Sequence, residues 1–294
     1  MRFFRGSVWA SRAVSLFIWF LAAGSVYGGE PPSFTLDPST VTAGRTLTIL
    51  CETTTSLRNA RAQFGKTETR FYKESPTQWR ARLGIDAMEK PGSHTLLLTG
   101  ISGGRRFAID VPLRVRAGSY PVSKINLKPA KDSLYTSGAV ATDGKRLASF
   151  YTKIGSSKKE WDGAFVRPST GVVSSVFGAR RSYGGRPPSS AHSGVDLANA
   201  EGTVIQAPAS GRVVLSEWME SFGHVVMLDH GQGVYSYYLH MKSRAVDVGQ
   251  RVKQGHHLGL MGQEGVATGP HLHWSLAVAG VRVDPLEWVK RAIP

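Results

Sequence analysis

Short runs in which hydrophobic and polar residues alternate fill the first third of the chain: FTLDPSTVTAG, RTLTILCETT, TQWRARLGID, GSHTLLLTGI and FAIDVPLRVRAG. Alternation sends every second side chain to one face of a strand, and glycine, proline, asparagine or serine closes each run. Turn signals at a spacing of roughly 8–12 residues predict a small antiparallel sandwich over residues 29–118. Between 119 and 164 the periodicity weakens and seven lysines are spread along the stretch, which predicts a linker or a regulatory arm packed over a neighbouring domain. From Phe165 to Pro294 glycine-punctuated β runs return, among them GVDLANA, GRVVLSEWM, HVVMLDHG, GVYSYYLHM and HLHWSLAVAG. They predict a compact, mainly antiparallel domain closed by one short helix in VDPLEWVKRAI. There Asp284 suits the N-cap, Pro285 the first helical position, and Lys290 and Arg291 the negative end of the helix dipole. The fold class expected is mainly β, a β-sandwich-like domain followed by a second β-rich domain.

The opening 28 residues are set apart from this pattern. Arg2, Arg5 and Arg12 precede the 14-residue apolar run AVSLFIWFLAAGSV, and residues 1–28 read as a secretory signal peptide with cleavage near Gly28. The run is shorter than the roughly 20 residues of a spanning helix, which makes an uncleaved anchor the lesser alternative. A single cysteine, Cys51, excludes an intramolecular disulfide and reads as a core thiol. Formal charge is +15 over the 294 residues, and +12 once the three leader arginines are removed. That balance favours an anionic partner such as the cell envelope. Nucleic acid is excluded as a partner by export and by the lack of basic blocks interleaved with stacking aromatics.

Candidate chemistry concentrates after residue 191, where eight of the nine histidines fall. In ATGPHLHWSL, His271 and His273 stand at i and i+2 of a strand and leave the same face. HSGVD places His192 four residues before Asp196, and in YYLH the residues Tyr238 and His240 share a face on strand alternation. A hydrolytic zinc site takes three protein ligands and leaves a place for water. His192, Asp196 and one of the paired histidines would supply two nitrogens and one oxygen, a set that acidifies water near neutral pH. The other member of the pair and His240 would then act as base and oxyanion donor.

HSGVD, YYLH and TGPHLHW, in that order and with FGARR upstream, resemble the motifs of the lysostaphin/LytM-type zinc metallopeptidases, which cleave peptide cross-links of bacterial peptidoglycan. The likeness covers about Phe165 to Trp288 and extends to connecting phrases such as GTVIQAPASGRVV. It implies a duplicated hybrid motif fold for residues 165–294, an N-terminal β domain as accessory, and Zn2+ as cofactor. Carried over by position, it makes His192, Asp196 and His273 the metal ligands and His240 and His271 the catalytic pair. The implied function is an exported zinc metallo-endopeptidase acting on peptidoglycan peptides, in a periplasm or cell envelope rather than the medium. The alternative is a non-catalytic wall or divisome regulator that keeps the fold, for which the intact set of five residues has no physical use.

Two departures stand out. Gly223-His224 occurs where the family often has Gly-Asn, and Glu264 lies where small polar residues are common. Arg180 and Arg181, in the FGARR loop, are candidate substrate-binding residues for wall carboxylates, joined in that role by Tyr238 and His224. His230, His256 and His257 read as structural or solvated. Ser193 beside His192 lacks the elbow motif of a serine hydrolase.

Overall fold

The computed structural model describes residues 32–183, 185 and 190–294. The signal-peptide expectation for residues 1–28 lies outside the described residues. Among these, no helix is long and apolar enough to cross a membrane.

Alternation in the first third of the chain becomes two sheets. One has four strands, in the order Ser33–Asp37, Thr46–Glu52, Gln78–Gly84 and Tyr72–Lys73, and the other has five, in the order Thr40–Thr42, Arg105–Arg116, Gly92–Ser102, Leu57–Phe64 and Thr67–Arg70. Leu57–Phe64 shows why: Leu57, Ala60, Ala62 and Phe64 are buried while Arg58, Asn59, Arg61 and Gln63 face solvent. Leu47, Ile49, Leu83, Leu96, Leu98 and Leu113 from both sheets form one closed core. Cys51 is buried within it, and burial pushes its thiol up to about 12.

The second β domain is built on a ten-stranded sheet whose main path runs Val172–Ser175, Val195–Ala198, His271–Val278, Val234–Arg244, Gly223–Gly231, Gly211–Met219 and Arg251–Val252. Its inner face carries Val226, Leu228, Tyr238, Met241, Leu272, Trp274 and Leu276. Helix Pro285–Lys290 follows it as expected: the Asp284 side chain accepts from the Leu286 amide at 2.9 Å, with Pro285 in the first turn and Lys290 in the last.

Residues 119–164 contain more structure than their weak periodicity suggests. Strand Val122–Ile125 lies parallel to Arg180–Tyr183, and two helices follow, α1 at Pro129–Thr136 and α2 at Ala139–Tyr151, joined at Gly138 with φ 90°. Leu147 and Tyr151 of α2, one turn apart, pack on Leu215, Met227, Tyr235, Tyr237 and Leu239, so α2 covers the outer face of the large sheet. Helix α1 has no buried residue.

The two β units meet through paired polar groups. Glu287 accepts from the Thr46 amide at 3.0 Å, and Trp288 donates to the Thr46 hydroxyl at 2.9 Å. Arg82, 1 % exposed, donates to Gln232 and to the Pro294 carbonyl at 2.6 Å each and to Glu74 at 3.0 Å. These bonds satisfy a guanidinium that would otherwise be stranded in the interior.

Candidate metal centre and active site

Strands Val195–Ala198 and His271–Val278 pair antiparallel in a register that puts Asp196 directly opposite His273. Opposed residues in a sheet are near enough for their side chains to share one ligand. His192 arrives from the preceding loop, where its backbone exchanges two 2.8 Å hydrogen bonds with Gly178 and Ala179 of FGARR. Two glycines permit that approach. A side chain on Gly194 would begin 2.3 Å from the Trp274 carbonyl, and one on Gly178, whose φ is 77°, 2.4 Å from the Tyr120 ring.

Three donor atoms converge as a result. His192 Nε2 lies 3.0 Å from Asp196 Oδ1 and 3.0 Å from His273 Nδ1, and His273 Nδ1 lies 2.8 Å from Asp196 Oδ1. The far nitrogens fix the tautomers. His192 Nδ1 is 2.8 Å from the Val176 carbonyl, which can only accept, so Nδ1 holds the proton and Nε2 presents a lone pair. His273 Nε2 stands 2.8 Å from the Ser275 hydroxyl, which is able to accept a hydrogen bond from it and so leave the Nδ1 lone pair for the cluster.

Two imidazole nitrogens and a carboxylate oxygen facing one another form a donor set able to hold a cation between them. Their separations are slightly below the ~3.4 Å between ligands of a tetrahedral ion with ~2.1 Å bonds, so this donor set fits a borderline metal such as zinc. His192, Asp196 and His273 are thus a candidate metal centre, the one such group among the described residues. Burial pushes the Asp196 carboxyl up, but the close approach of the His192 and His273 rings outweighs it and holds it well below its ordinary value. Burial likewise keeps His273 neutral, down to about 4, and lowers His192.

Two further histidines flank the centre. His271 Nδ1 donates to the Gly269 carbonyl at 2.8 Å, and its Nε2 lies 3.9 Å from Asp196 Oδ1. His240 Nδ1 donates to the Glu264 carbonyl at 2.7 Å, with its ring centroid 4.9 Å from that of His271. Both keep Nε2 unprotonated when neutral. Burial, reinforced by His271 and His273, holds His240 well below its ordinary value. A cavity of about 280 Å³ opens over this group, with His192, His240 and His273 on one side and Tyr135, Leu147 and Tyr151 from α1 and α2 on the other. Tyr135 stacks on Tyr183 at 4.1 Å between ring centroids.

Residues 190–285 match the sequence profile of Peptidase family M23. The C-terminal domain belongs to peptidase family M23. Among curated relatives, the chain is 38 % identical over 113 residues to the peptidoglycan DD-endopeptidase ShyC of Vibrio cholerae, covering 38 % of this chain and 26 % of that protein. It is 36 % identical over 98 residues to the murein hydrolase activator EnvC of Escherichia coli, covering 33 % of this chain and 23 % of that protein. The match therefore spans about a quarter of each of these relatives. A crystal structure of a peptidase M23 from Pseudomonas aeruginosa is 25 % identical with a TM-score of 0.60, and the likeness covers 84 % of this chain and 94 % of that one. That coverage takes in the N-terminal β sheets as well as the M23 domain.

The structure moves three of the four substrate-binding candidates off the cavity. Tyr238 is fully buried and bonds Ser236 at 2.6 Å, because His240 takes the left-handed φ of 62° and breaks the alternation that would have set the two side chains on one face. Tyr237 and Leu239 line the cavity in its place. His224 accepts from Arg244 Nε at 3.1 Å and stands 4.0 Å from Glu264, outside the cavity lining. Arg180 is half-buried, its amide bonded to the Pro121 carbonyl. Arg181 does line the cavity, but its guanidinium holds Asp196 Oδ2 at 2.5 Å and reaches Ser175 and Tyr183 at 3.3 Å, so it supports the metal-side carboxylate instead of waiting in an exposed loop.

His230 is buried, bonded to the Ser210 carbonyl and Ser236 and pushed by burial to about 4. His256 and His257 are exposed. Sequence reasoning missed Ser275, although HLHWS carries it at i+2 from His273 on the same strand face.

Proposed function

We propose that this protein is an exported zinc metallo-endopeptidase that hydrolyses peptide cross-links of bacterial peptidoglycan in the cell envelope. The observation that carries the reading is the convergence of His192, Asp196 and His273 within 3.0 Å of one another beside two histidines with free Nε2 atoms. A zinc ion held by those three residues would supply Lewis acidity to a water and to the scissile carbonyl. His271 and His240 then divide the proton and charge work: one Nε2 takes a proton from the attacking water, and the other, once protonated, donates to the oxygen that gains charge. Arg181 keeps Asp196 ionised and oriented throughout. The names of the relatives support peptidoglycan as the substrate class.

Residues 119–164 act in this reading as a regulatory arm. Helices α1 and α2 wall the cavity, and besides the packing of Leu147 and Tyr151 on the sheet they are held where Asp143 accepts from the Ser221 amide at 2.8 Å and hydroxyl at 2.6 Å, Arg146 pairs with Glu217, Lys131 donates to the Gly265 carbonyl and Tyr135 stacks on Tyr183. The alternative of a regulator without activity draws on the likeness to a murein hydrolase activator. Stripping metal by chelation and restoring zinc separates the two. Peptidoglycan fragment release that disappears and returns supports the peptidase, and fragment release absent in every state supports the regulator.

A further inference from the structure

Strand Leu57–Phe64 loses its register between Arg58 and Arg61, and within that bulge Asn59 adopts a φ of 50°. Bulges re-aim side chains, and asparagine is one of the few residues besides glycine that take the left-handed region readily, so this one opens the strand toward solvent. Two adjoining hollows share Asn59. One, of about 240 Å³, is lined with Arg61, Arg70, Phe71 and Trp79, and the other, of about 510 Å³ and more open, with Thr99, Ile101, Arg106 and Phe107.

The register gathers arginines around this bulge. Arg61 stands directly opposite Arg70, and in the next row Arg58 and Arg106 both stand opposite Ile101. All four are exposed. Like charges set across a ladder destabilise a sheet, and a face that needs only solubility mixes its signs. Against these four arginines the following row carries two carboxylates, Glu68, bonded to Arg61, and the exposed Asp110.

We infer that this bulged face of the first domain is a second binding site, for the carboxylate-bearing peptide stems of the polymer whose cross-links the M23 domain cuts; this rests on the function proposed above. Guanidinium forks match carboxylates two bonds at a time, the Asn59 amide can both donate to and accept from a peptide group, and the Phe71 and Trp79 rings floor the hollow for aliphatic carbons. A bilayer is a poorer occupant. Among the described residues, the exposed large hydrophobics, such as Val172, Val204 and Trp218, include none from 57–70 or 92–116, so nothing on this face would insert. Single-stranded nucleic acid needs exposed stacking rings, and these rings are recessed, Phe71 being 6 % exposed. Holding one stem here raises the local concentration of neighbouring cross-links at the metal centre.

The test compares the full-length His271→Ala protein with the same protein carrying Arg70→Gln and Arg106→Gln, by co-sedimentation with purified sacculi and with phosphatidylglycerol vesicles. The expected result is sacculus binding weakened about tenfold or more, as two lost charge-assisted contacts predict, with the thermal midpoint unchanged and little vesicle binding by either protein. Arg70→Gln and Arg106→Gln in an otherwise native chain should leave cleavage of a soluble cross-linked muropeptide unchanged. Sacculus binding unaltered by the arginines, or arginine-dependent binding to vesicles alone, overturns the inference. Arginine-dependent binding to sacculi without cleavage by the native chain would defeat the peptidase reading and leave this site standing.

Discussion

His230 and the metal-side histidines differ in what their burial does. His230 touches no metal donor, yet it is buried between the Ser210 carbonyl and the Ser236 hydroxyl, and its affinity for a proton falls from 6.5 to about 4. Folding therefore favours the neutral ring. Its stabilisation is full above the unfolded value of 6.5 and is lost as pH falls toward 4, about 3 kcal/mol in all. Urea unfolding of metal-free protein should show a smaller loss between pH 7.5 and 4.5 for His230→Gln than for the native chain; equal losses would assign the acid lability elsewhere. At the centre itself, Ser275 holds the tautomer of His273, so Ser275→Ala should lower zinc affinity roughly 10–100-fold by competition with a chelator while leaving the fold intact. The five residues gathered here could be singled out because HSGVD, YYLH and TGPHLHW are local motifs that carry the family resemblance. Arg181 was assigned to substrate instead, since no spacing reveals that its fork closes on Asp196 fifteen residues away.

Strand alternation is the element-scale rule that delivers His271, His273 and Ser275 to one face, and it fails at His240. There the left-handed backbone shifts the side chains by one, placing Tyr237, Leu239 and His240 on the cavity and Tyr238 in the core. Nothing in YYLH signals a positive φ on a histidine, which is why Tyr238 was expected beside it. Glycine suits this conformation where alanine does not, so His240→Gly should be more stable than His240→Ala by about 1 kcal/mol, both inactive, in thermal or urea unfolding. Equal stability would mean the backbone relaxes out of the left-handed region when the ring is removed. Helix Pro285–Lys290 was readable from its cap and proline alone. Helices α1 and α2 were not, because α1 buries no residue and α2 earns its place through Leu147 and Tyr151 against a sheet that the local sequence does not contain.

At the scale of the molecule, the M23 domain lies between an N-terminal β-sandwich that it grips through Arg82, Glu287 and Trp288 and a helical arm that packs on its sheet through Leu147 and Tyr151. Asp143 supplies both side-chain hydrogen bonds to Ser221, so Asp143→Ala should loosen α1 and α2 and raise the rate of peptidoglycan cleavage severalfold, since two such bonds contribute about 1–3 kcal/mol. An unchanged or lower rate in a folded variant would count against a regulatory arm. The two-unit β plan was visible in the alternation and glycine punctuation of the chain, whereas the face each unit offers the other depends on pairs such as Arg82 with Gln232, 150 residues apart.

The central claim is that a metal held by His192, Asp196 and His273 works with His271 as a separate proton-handling group. Zinc content and muropeptide release from purified sacculi, measured side by side on the native protein and on His271→Ala, test it most directly. The account predicts one zinc per chain in both, with release by the native protein and a loss of at least about a hundredfold in the variant. Zinc bound by both with no release by either, repeated after Asp143→Ala, would contradict it and make the protein a regulator that has kept a peptidase fold.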